Sequence, residues 1–273
     1  MQLSDIQRIF NRALILTFSK KKLAMVSIIL ALCGLLIVFF RGLAIHAGNW
    51  IMLSLTFIPV FLCSGILLSA GIWLTRIYHD EVKNKAIKYR DVLLNSWEVI
   101  IGASYFAIPI ILSYLLVWMT LGIFILLKEI PGVGKFFMAI LAFAPFLLNL
   151  SSLLLCLFAL LVLYFVTPLV ALKGVNRIQS AQLLTLRLKG DVFCNIVLGL
   201  VAVLPLIFCA ILLLTAAFIT ESMCEVCESP VYTIVHSFFI MIPFAVMLSP
   251  AVIFFFNFAA EAHVFMREKQ VEE

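Results

Sequence analysis

The sequence has few charged residues, and almost none of them lies inside its long apolar runs. Charged residues make up 12 % of the chain and hydrophobic residues 65 %, with a mean hydropathy of +1.21. This composition excludes a soluble globular protein, in which about half of the residues are apolar and about a quarter are charged. Proton relays and ion-coupled carriers place ionisable side chains within their spans, so the scarcity of such residues argues against both classes.

The signatures of common enzymes are also missing. The chain has no phosphate-binding loop, no Gly-x-Gly-x-x-Gly, no His-Glu-x-x-His and no Gly-x-Ser-x-Gly, the motifs that carry nucleotide, metal-dependent and serine-hydrolase chemistry. No nucleophile or acid–base pair stands out at a common depth in the apolar runs. We therefore expect a protein that is not an enzyme and that holds no cofactor and no metal.

The apolar runs have the length of membrane spans. A helix needs about 20 mostly apolar residues to cross a hydrocarbon core of about 30 Å. The sequence therefore predicts a single all-α integral membrane domain over residues 1–273, built as a six-helix transmembrane bundle. The run that ends at position 172 is too long for one crossing, so we expect Pro145 to divide it. The predicted spans are residues 23–43, 50–75, 99–127, 146–172, 192–219 and 231–260.

The positions of the basic residues predict the orientation of the bundle. Of the 19 Lys and Arg residues, all but Arg41, Lys128 and Lys135 lie in polar segments that face the same side if the spans alternate in direction. Short loops rich in Lys and Arg stay in the cytoplasm, so both termini are predicted to be cytoplasmic. The formal charge of +5 favours membrane lipids with anionic headgroups as partners at that face. Nucleic acid is a poor partner, because no basic segment forms a groove-sized patch with interleaved aromatic residues.

Three of the basic segments are predicted to form amphipathic helices, at residues 4–18, 86–97 and 177–188. Each places apolar residues on one helical face and polar residues on the other, a pattern typical of helices that lie in the membrane interface. Packing of these apolar faces on the bundle is the alternative. Each segment runs into an apolar hairpin, which favours three repeated hairpin units in the same orientation.

Uncharged polar residues and one carboxylate within the spans are the candidates for a polar lining. Asn257 and Glu261 are four residues apart and share a helix face. Such residues either line a site for a headgroup or a solute or bridge neighbouring helices through hydrogen bonds. The candidate lining residues are Asn149, Ser151, Ser152, Asn257 and Glu261.

The loop between the last two spans contains a pair of cysteines, Cys224 and Cys227. We expect them to form a disulfide that stiffens the loop. A dithiol with redox chemistry and half of a metal site are the alternatives.

The residues from Thr167 to Gly199 resemble a known family. The stretch Thr167-Pro168-Leu169-Val170-Ala171-Leu172 is followed by Ala181, Leu184, Leu186, Lys189 and Gly190, and then by an apolar span that contains Gly199. This order is similar to the membrane domain fused to some bacterial glycerophosphodiester phosphodiesterases, and to its stand-alone relatives. The resemblance implies a membrane architecture in bacteria, without the phosphodiesterase activity.

The leading hypothesis from the sequence is a non-enzymatic, multi-pass protein of a bacterial cytoplasmic membrane that supports envelope or lipid organisation. A carrier for an uncharged or lipid-like solute is the main alternative, because proline-rich spans and polar residues within them are also typical of solute pathways. A thiol-redox membrane protein that uses Cys224 and Cys227 is a minor alternative.

Overall fold

The computed structural model describes residues 3–44, 49–85, 107–128, 143–173, 192–220 and 230–272, together with positions 89, 91, 92, 94, 134 and 136. The described residues form seven α-helices and no β-strand, so the predicted all-helical class is confirmed. The helices are α1 (Leu3–Ile15), α2 (Lys20–Ala44), α3 (Asn49–Val82), α4 (Ile108–Lys128), α5 (Ala144–Lys173), α6 (Val192–Ile219) and α7 (Pro230–Glu272).

Five of these helices contain a stretch that is long and apolar enough to cross a membrane. The chain is therefore a multi-pass membrane protein. The sixth apolar helix, α4, contains the shorter stretch Ile108–Thr120. The five long stretches, in α2, α3, α5, α6 and α7 respectively, are Lys20–Ala44, Leu55–Val82, Asn149–Leu172, Phe193–Ile219 and Ile234–Met266.

The helix ends follow from local sequence. Helix α3 ends at Val82, and two residues later Asn84 is left-handed, with a φ of 52°. Its amide bonds to the Glu81 carbonyl and the Lys85 amide to the Asp80 carbonyl, both at 3.0 Å, which is the Schellman arrangement that satisfies the last carbonyls of a helix. Helix α5 begins at Ala144, so Pro145 lies in the first turn, where the missing backbone donor costs little.

Two of the helix-internal prolines follow a hydroxyl residue, and the two hydroxyls behave differently. Pro250 cannot donate to the carbonyl of Val246, four residues earlier. The Ser249 hydroxyl donates to that carbonyl at 2.8 Å and so replaces the lost bond. The Thr167 hydroxyl, before Pro168, is buried and has no hydrogen-bond partner within the described part of the chain.

The contacts between helices show that one end of the bundle gathers the basic segments. Lys22 at the start of α2 meets Glu81 at the end of α3, and the Arg76 Nε of α3 donates to the Ala171 carbonyl at the end of α5 at 3.1 Å. Cys194 at the start of α6 lies 3.6 Å from Met266 near the end of α7. We call this the basic end: α1, the N-terminal ends of α2 and α6, and the C-terminal ends of α3, α5 and α7.

Helix α7 occupies the centre of the bundle and packs against α1, α2, α3, α5 and α6. Every side chain from position 251 to 260 is buried, with Phe254, Phe255, Phe256 and Phe258 at the centre of the core. Helix α2 approaches α7 closely at Gly34, where an added Cβ would lie 2.8 Å from the Met241 side chain. Small residues at such contacts let two helix backbones come close together.

Helix α1 covers the basic end of α7. Ile9 and Ala13 are buried, and the rings of Phe10 and Phe254 pack with their centroids 5.0 Å apart. The helix was predicted over residues 4–18 but ends at Ile15. The chain turns there, because the amide of Thr17 bonds to the Leu14 carbonyl and its hydroxyl to the Ala13 carbonyl.

The other two predicted amphipathic segments lie largely or wholly outside the described residues. In the second segment, Tyr89 and Val92 pack against the core, and the ring of Tyr89 lies 6.0 Å from that of Trp73. The third segment, residues 177–188, is outside the described ranges.

Candidate functional site

A cluster of polar side chains lies at the basic end, between α1, α2, α3 and α7. One of its two fully buried members is Lys22, in the first turn of α2. The ammonium group contacts the carboxylate of Glu81 and donates to the Leu16 carbonyl at 3.0 Å. Burying two charges is costly unless they are paired and hydrogen-bonded, and both conditions hold here.

Glu261 is the second charged centre of the cluster. Its side chain is only 13 % exposed, and Oε1 lies 3.4 Å from the Nε of Arg12. The Tyr78 hydroxyl donates to the same oxygen at 2.7 Å. One carboxylate of α7 is therefore held by a residue of α1 and a residue of α3, and hydrogen bonds to a charged group are stronger than neutral ones.

Asn257 makes the third link of the cluster, one turn before Glu261. Its side chain is fully buried, and Nδ2 donates to the Ala13 carbonyl at 3.4 Å and to the Thr17 hydroxyl at 3.5 Å. Both partners belong to the end of α1 and the turn after it. Asn257 and Glu261 together join α7 to α1 over more than one turn. We call Arg12, Lys22, Tyr78, Glu81, Asn257 and Glu261 the polar cluster.

Two cavities of about 250 Å³ each flank the contact between Arg12 and Glu261. The first, which we call the Tyr78 cavity, lies between α1, α3, α5 and α7. The second lies between α1 and α7 and is lined by Arg8, Ile9, Arg12, Glu261, Val264 and Phe265. The Tyr78 cavity is lined by Arg12, Tyr78, His79, Val82, Lys83, Leu172, Ala260, Glu261 and Val264.

The structure divides the predicted lining residues into two groups. Asn257 and Glu261 lie together at the basic end. Asn149, Ser151 and Ser152 lie near the start of α5, whereas Leu172 near its other end lines the Tyr78 cavity. The helical rise of 1.5 Å per residue puts about 30 Å between Ser152 and Leu172.

The residues near the start of α5 differ in burial. Ser152 is fully buried and its hydroxyl has no hydrogen-bond partner among the described residues, while Asn149 and Ser151 are half-buried. None of the three lines either of the two cavities at the basic end. The other predicted pair, Cys224 and Cys227, lies outside the described residues.

Sequence reasoning missed the role of Lys22, Tyr78 and Glu81. In the sequence, Lys22 is only one of the basic residues that orient the first span. It lies on the stripe of α2 that continues through the buried Val26, Leu30 and Cys33, at the spacing expected for one helix face. That spacing is visible in the sequence, but an almost uniformly apolar helix does not show which of its faces is buried.

Comparison with known protein families, with curated proteins and with solved structures finds no match for this chain. The resemblance to the membrane domain of some glycerophosphodiester phosphodiesterases therefore stays a prediction. A function for this chain has to be inferred from the geometry of the polar cluster and of the surface around it.

Proposed function

We propose that this chain is a non-enzymatic protein of a bacterial cytoplasmic membrane that organises anionic lipid around its basic end. In this proposal the chain crosses the bilayer six times as three hairpin units, both termini are cytoplasmic, and the basic end is the cytoplasmic end. The excess of Lys and Arg in the segments at that end supports this orientation. The resemblance to the bacterial membrane-domain family agrees with the same architecture.

The observation that carries the proposal is the surface beside the docked α1. Leu14, Ile15 and Phe18 are exposed there, and the exposed Lys20 and Lys21 follow after Ser19. Apolar side chains with adjacent basic residues are typical of segments that insert into the headgroup region of an anionic bilayer. Each basic residue near such a surface contributes about 1 kcal/mol of attraction.

The test is reconstitution of the purified protein into vesicles of phosphatidylcholine alone or with an added fraction of phosphatidylglycerol. We expect thermal stability and clustering to change with the anionic fraction. The double variant Lys20→Gln, Lys21→Gln should weaken that dependence, whereas Arg41→Gln, at the opposite end of α2, should leave it as in the wild type. The same stability and clustering in both kinds of vesicle would overturn the proposal.

A carrier for an uncharged or lipid-like solute is the second candidate. The buried hydroxyls of Ser152 and Thr167 favour it, because neither has a hydrogen-bond partner among the described residues and a solute would supply one. A fluorescent lipid in the vesicle membrane tests the lipid-like case. If the protein does not speed its exchange between leaflets above that of empty vesicles, a lipid carrier is excluded.

A thiol-redox function at Cys224 and Cys227 remains the minor alternative. It predicts that the wild type exchanges disulfides with a dithiol reagent and that the double variant Cys224→Ser, Cys227→Ser does not. The same exchange rate in both proteins would exclude it.

A further inference from the structure

The Tyr78 cavity is a pocket of headgroup size at the end of the bundle that we place at the cytoplasmic interface. Four helices form its walls, so its shape is set by the packing of the bundle and not by a single loop. Drug-sized ligands occupy cavities of about 300–1,000 Å³. A volume of about 250 Å³ suits the polar part of a lipid and is too small for a whole phospholipid molecule.

The charges that line the cavity favour an anion. Arg12 and Lys83 are cationic, and among the lining residues that the structure describes the only carboxylate is Glu261. That carboxylate already accepts from the Tyr78 hydroxyl and contacts the Nε of Arg12. A guanidinium has five N–H donors, so Arg12 keeps donors for a second acceptor. The described part of the lining thus carries one positive charge in excess, which matches a phosphodiester with one negative charge.

At the C-terminus of α3, beside the cavity, three backbone carbonyls are already hydrogen-bonded and do not compete with an anion for the donors of Arg12 and Lys83. Free carbonyls at a helix C-terminus carry partial negative charge and would repel a phosphate. At the end of α3 the carbonyls of His79, Asp80 and Glu81 accept from the amides of Lys83, Lys85 and Asn84 respectively. These three carbonyls of α3 are therefore capped.

Apart from the imidazole of His79, the remaining described lining is apolar, and this apolar part distinguishes a lipid from a free ion. Val82, Leu172, Ala260 and Val264 contribute to the wall, and inorganic phosphate would gain nothing from them. Val264 is also 38 % exposed, so the cavity continues onto the outer surface of α7. A glycerol backbone and the first part of an acyl chain fit such a surface.

We propose that the Tyr78 cavity binds the phosphodiester headgroup of an anionic phospholipid, with Arg12 and Lys83 at the phosphate and the acyl chains leaving past Val264. This inference rests on the proposed function and names the site at which the lipid is held. The contact between Arg12 and Glu261 then gives the site a second role, because the guanidinium that holds α1 on α7 also faces the lipid. Bound lipid would stabilise the docked position of α1.

The experiment is native mass spectrometry of the detergent-purified protein titrated with phosphatidylglycerol, with phosphatidylcholine as the zwitterionic reference and inorganic phosphate as a competitor. Lys83→Gln removes one cation without touching the polar cluster, and Lys85→Gln is its control in the same turn. Val264→Trp fills the cavity without changing its charge. Val264 also lines the second cavity, so the assignment to the Tyr78 cavity depends on Lys83, which lines only that one. Val246→Trp, on the exposed outer surface of the same helix, is the matched control.

We expect Lys83→Gln to weaken phosphatidylglycerol binding about fivefold, the effect of one basic residue at a membrane surface. Val264→Trp should abolish the tightest bound lipid, and both controls should bind as the wild type does. Displacement of phosphatidylglycerol by inorganic phosphate at equal concentration would show that the ligand is the free ion and would overturn the lipid proposal.

Two further outcomes separate the site from the proposed function. If the wild type prefers phosphatidylglycerol while Lys83→Gln and Lys85→Gln weaken it equally and Val264→Trp has no effect, the cavity proposal is wrong and the proposed function stands. If the wild type shows no preference for phosphatidylglycerol over phosphatidylcholine, both are wrong. Because Lys83 is exposed, its variant remains informative even if Val264→Trp does not fold.

Discussion

Helices α6 and α7 are both apolar along most of their length, yet they are buried to very different degrees. The more apolar of the two, α6, is the less buried. At its basic end, buried side chains form a narrow stripe of Cys194, Leu198 and Ala202 with Asn195 beside it, and most of the remaining surface is exposed. In α7 every side chain from position 251 to 260 is buried.

This difference shows that burial in the bundle does not follow hydropathy. Lipid tails solvate an apolar side chain as well as another helix does, so helices associate through close packing and through polar contacts. Helix α7 offers both, with alanines and a phenylalanine-rich core around Asn257 and Glu261. Helix α6 offers mainly large apolar side chains, which are equally well accommodated by lipid.

The largest expected effect compares one phenylalanine from each helix. Phe255 of α7 is 2 % exposed and Phe208 of α6 is 61 % exposed. Phe255→Ala leaves a cavity beside Tyr164 and Phe256 and should lower the free energy of unfolding by about 4 kcal/mol. Phe208→Ala should change it by less than about 0.5 kcal/mol. Unfolding in mixed micelles, followed by circular dichroism, measures both, and equal losses would contradict the comparison.

The polar contacts at the basic end provide the next test. Lys22→Met leaves the carboxylate of Glu81 without its partner and should cost about 3 kcal/mol, because an unpaired charge remains buried. The double variant Lys22→Met, Glu81→Gln removes both charges and should recover part of that loss. Lys20→Met, at an exposed position, is the control and should be nearly neutral. A single variant as stable as the double variant would show that the ion pair is not needed.

Close packing at a glycine gives a smaller difference, between a contact made by α7 and a contact made by α6. A Cβ added at Gly71 of α3 would lie 2.2 Å from the Phe256 ring of α7, whereas one added at Gly199 of α6 would lie 3.8 Å from Tyr164. Gly71→Ala should therefore destabilise the protein by about 1–3 kcal/mol. Gly199→Ala should be neutral or stabilising by up to about 1 kcal/mol, the gain in helix propensity. The same micelle unfolding assay measures both, and a neutral Gly71→Ala would show that α3 and α7 are not in close contact.

The smallest effect is expected from hydroxyl groups. Ser249→Ala in α7 removes the donor that serves the carbonyl left by Pro250 and should cost about 1 kcal/mol. Thr215→Ala in α6 removes a hydroxyl that donates to the Ile211 carbonyl at an exposed position, where the helix itself already supplies a donor. It should have no measurable effect. Equal thermal stabilities of the two variants would mean that the Val246 carbonyl finds another donor.

Part of the candidate site could be predicted from the sequence. Asn257 and Glu261 were placed on one helix face by their spacing, and in the structure both face α1. The partners of Glu261 could not be predicted, because Arg12 and Tyr78 lie far away in the sequence and only the packing of α1 and α3 on α7 brings them together. The buried state of Lys22 depends in the same way on Glu81 at the end of the following helix.

The placement of the amphipathic N-terminal segment also required the tertiary structure. Periodicity predicted its helical character and its apolar face, but not how that face is divided. Ile9 and Ala13 pack on α7, while Leu14 and Phe18 are exposed. A helix that lies in the membrane interface and a helix that packs on the bundle have the same periodicity, since both need one apolar side.

Composition and the lengths of the apolar runs determined by themselves that this protein is helical and lies in a membrane, because an uninterrupted run of about 20 apolar residues satisfies its backbone groups within lipid by forming a spanning helix. The tertiary structure alone decided which helix is central, which cations are buried, and where the cavities lie. Those features depend on which surfaces meet, and in a chain whose helices are apolar on every side, hydropathy does not distinguish the surfaces that face lipid from those that face other helices.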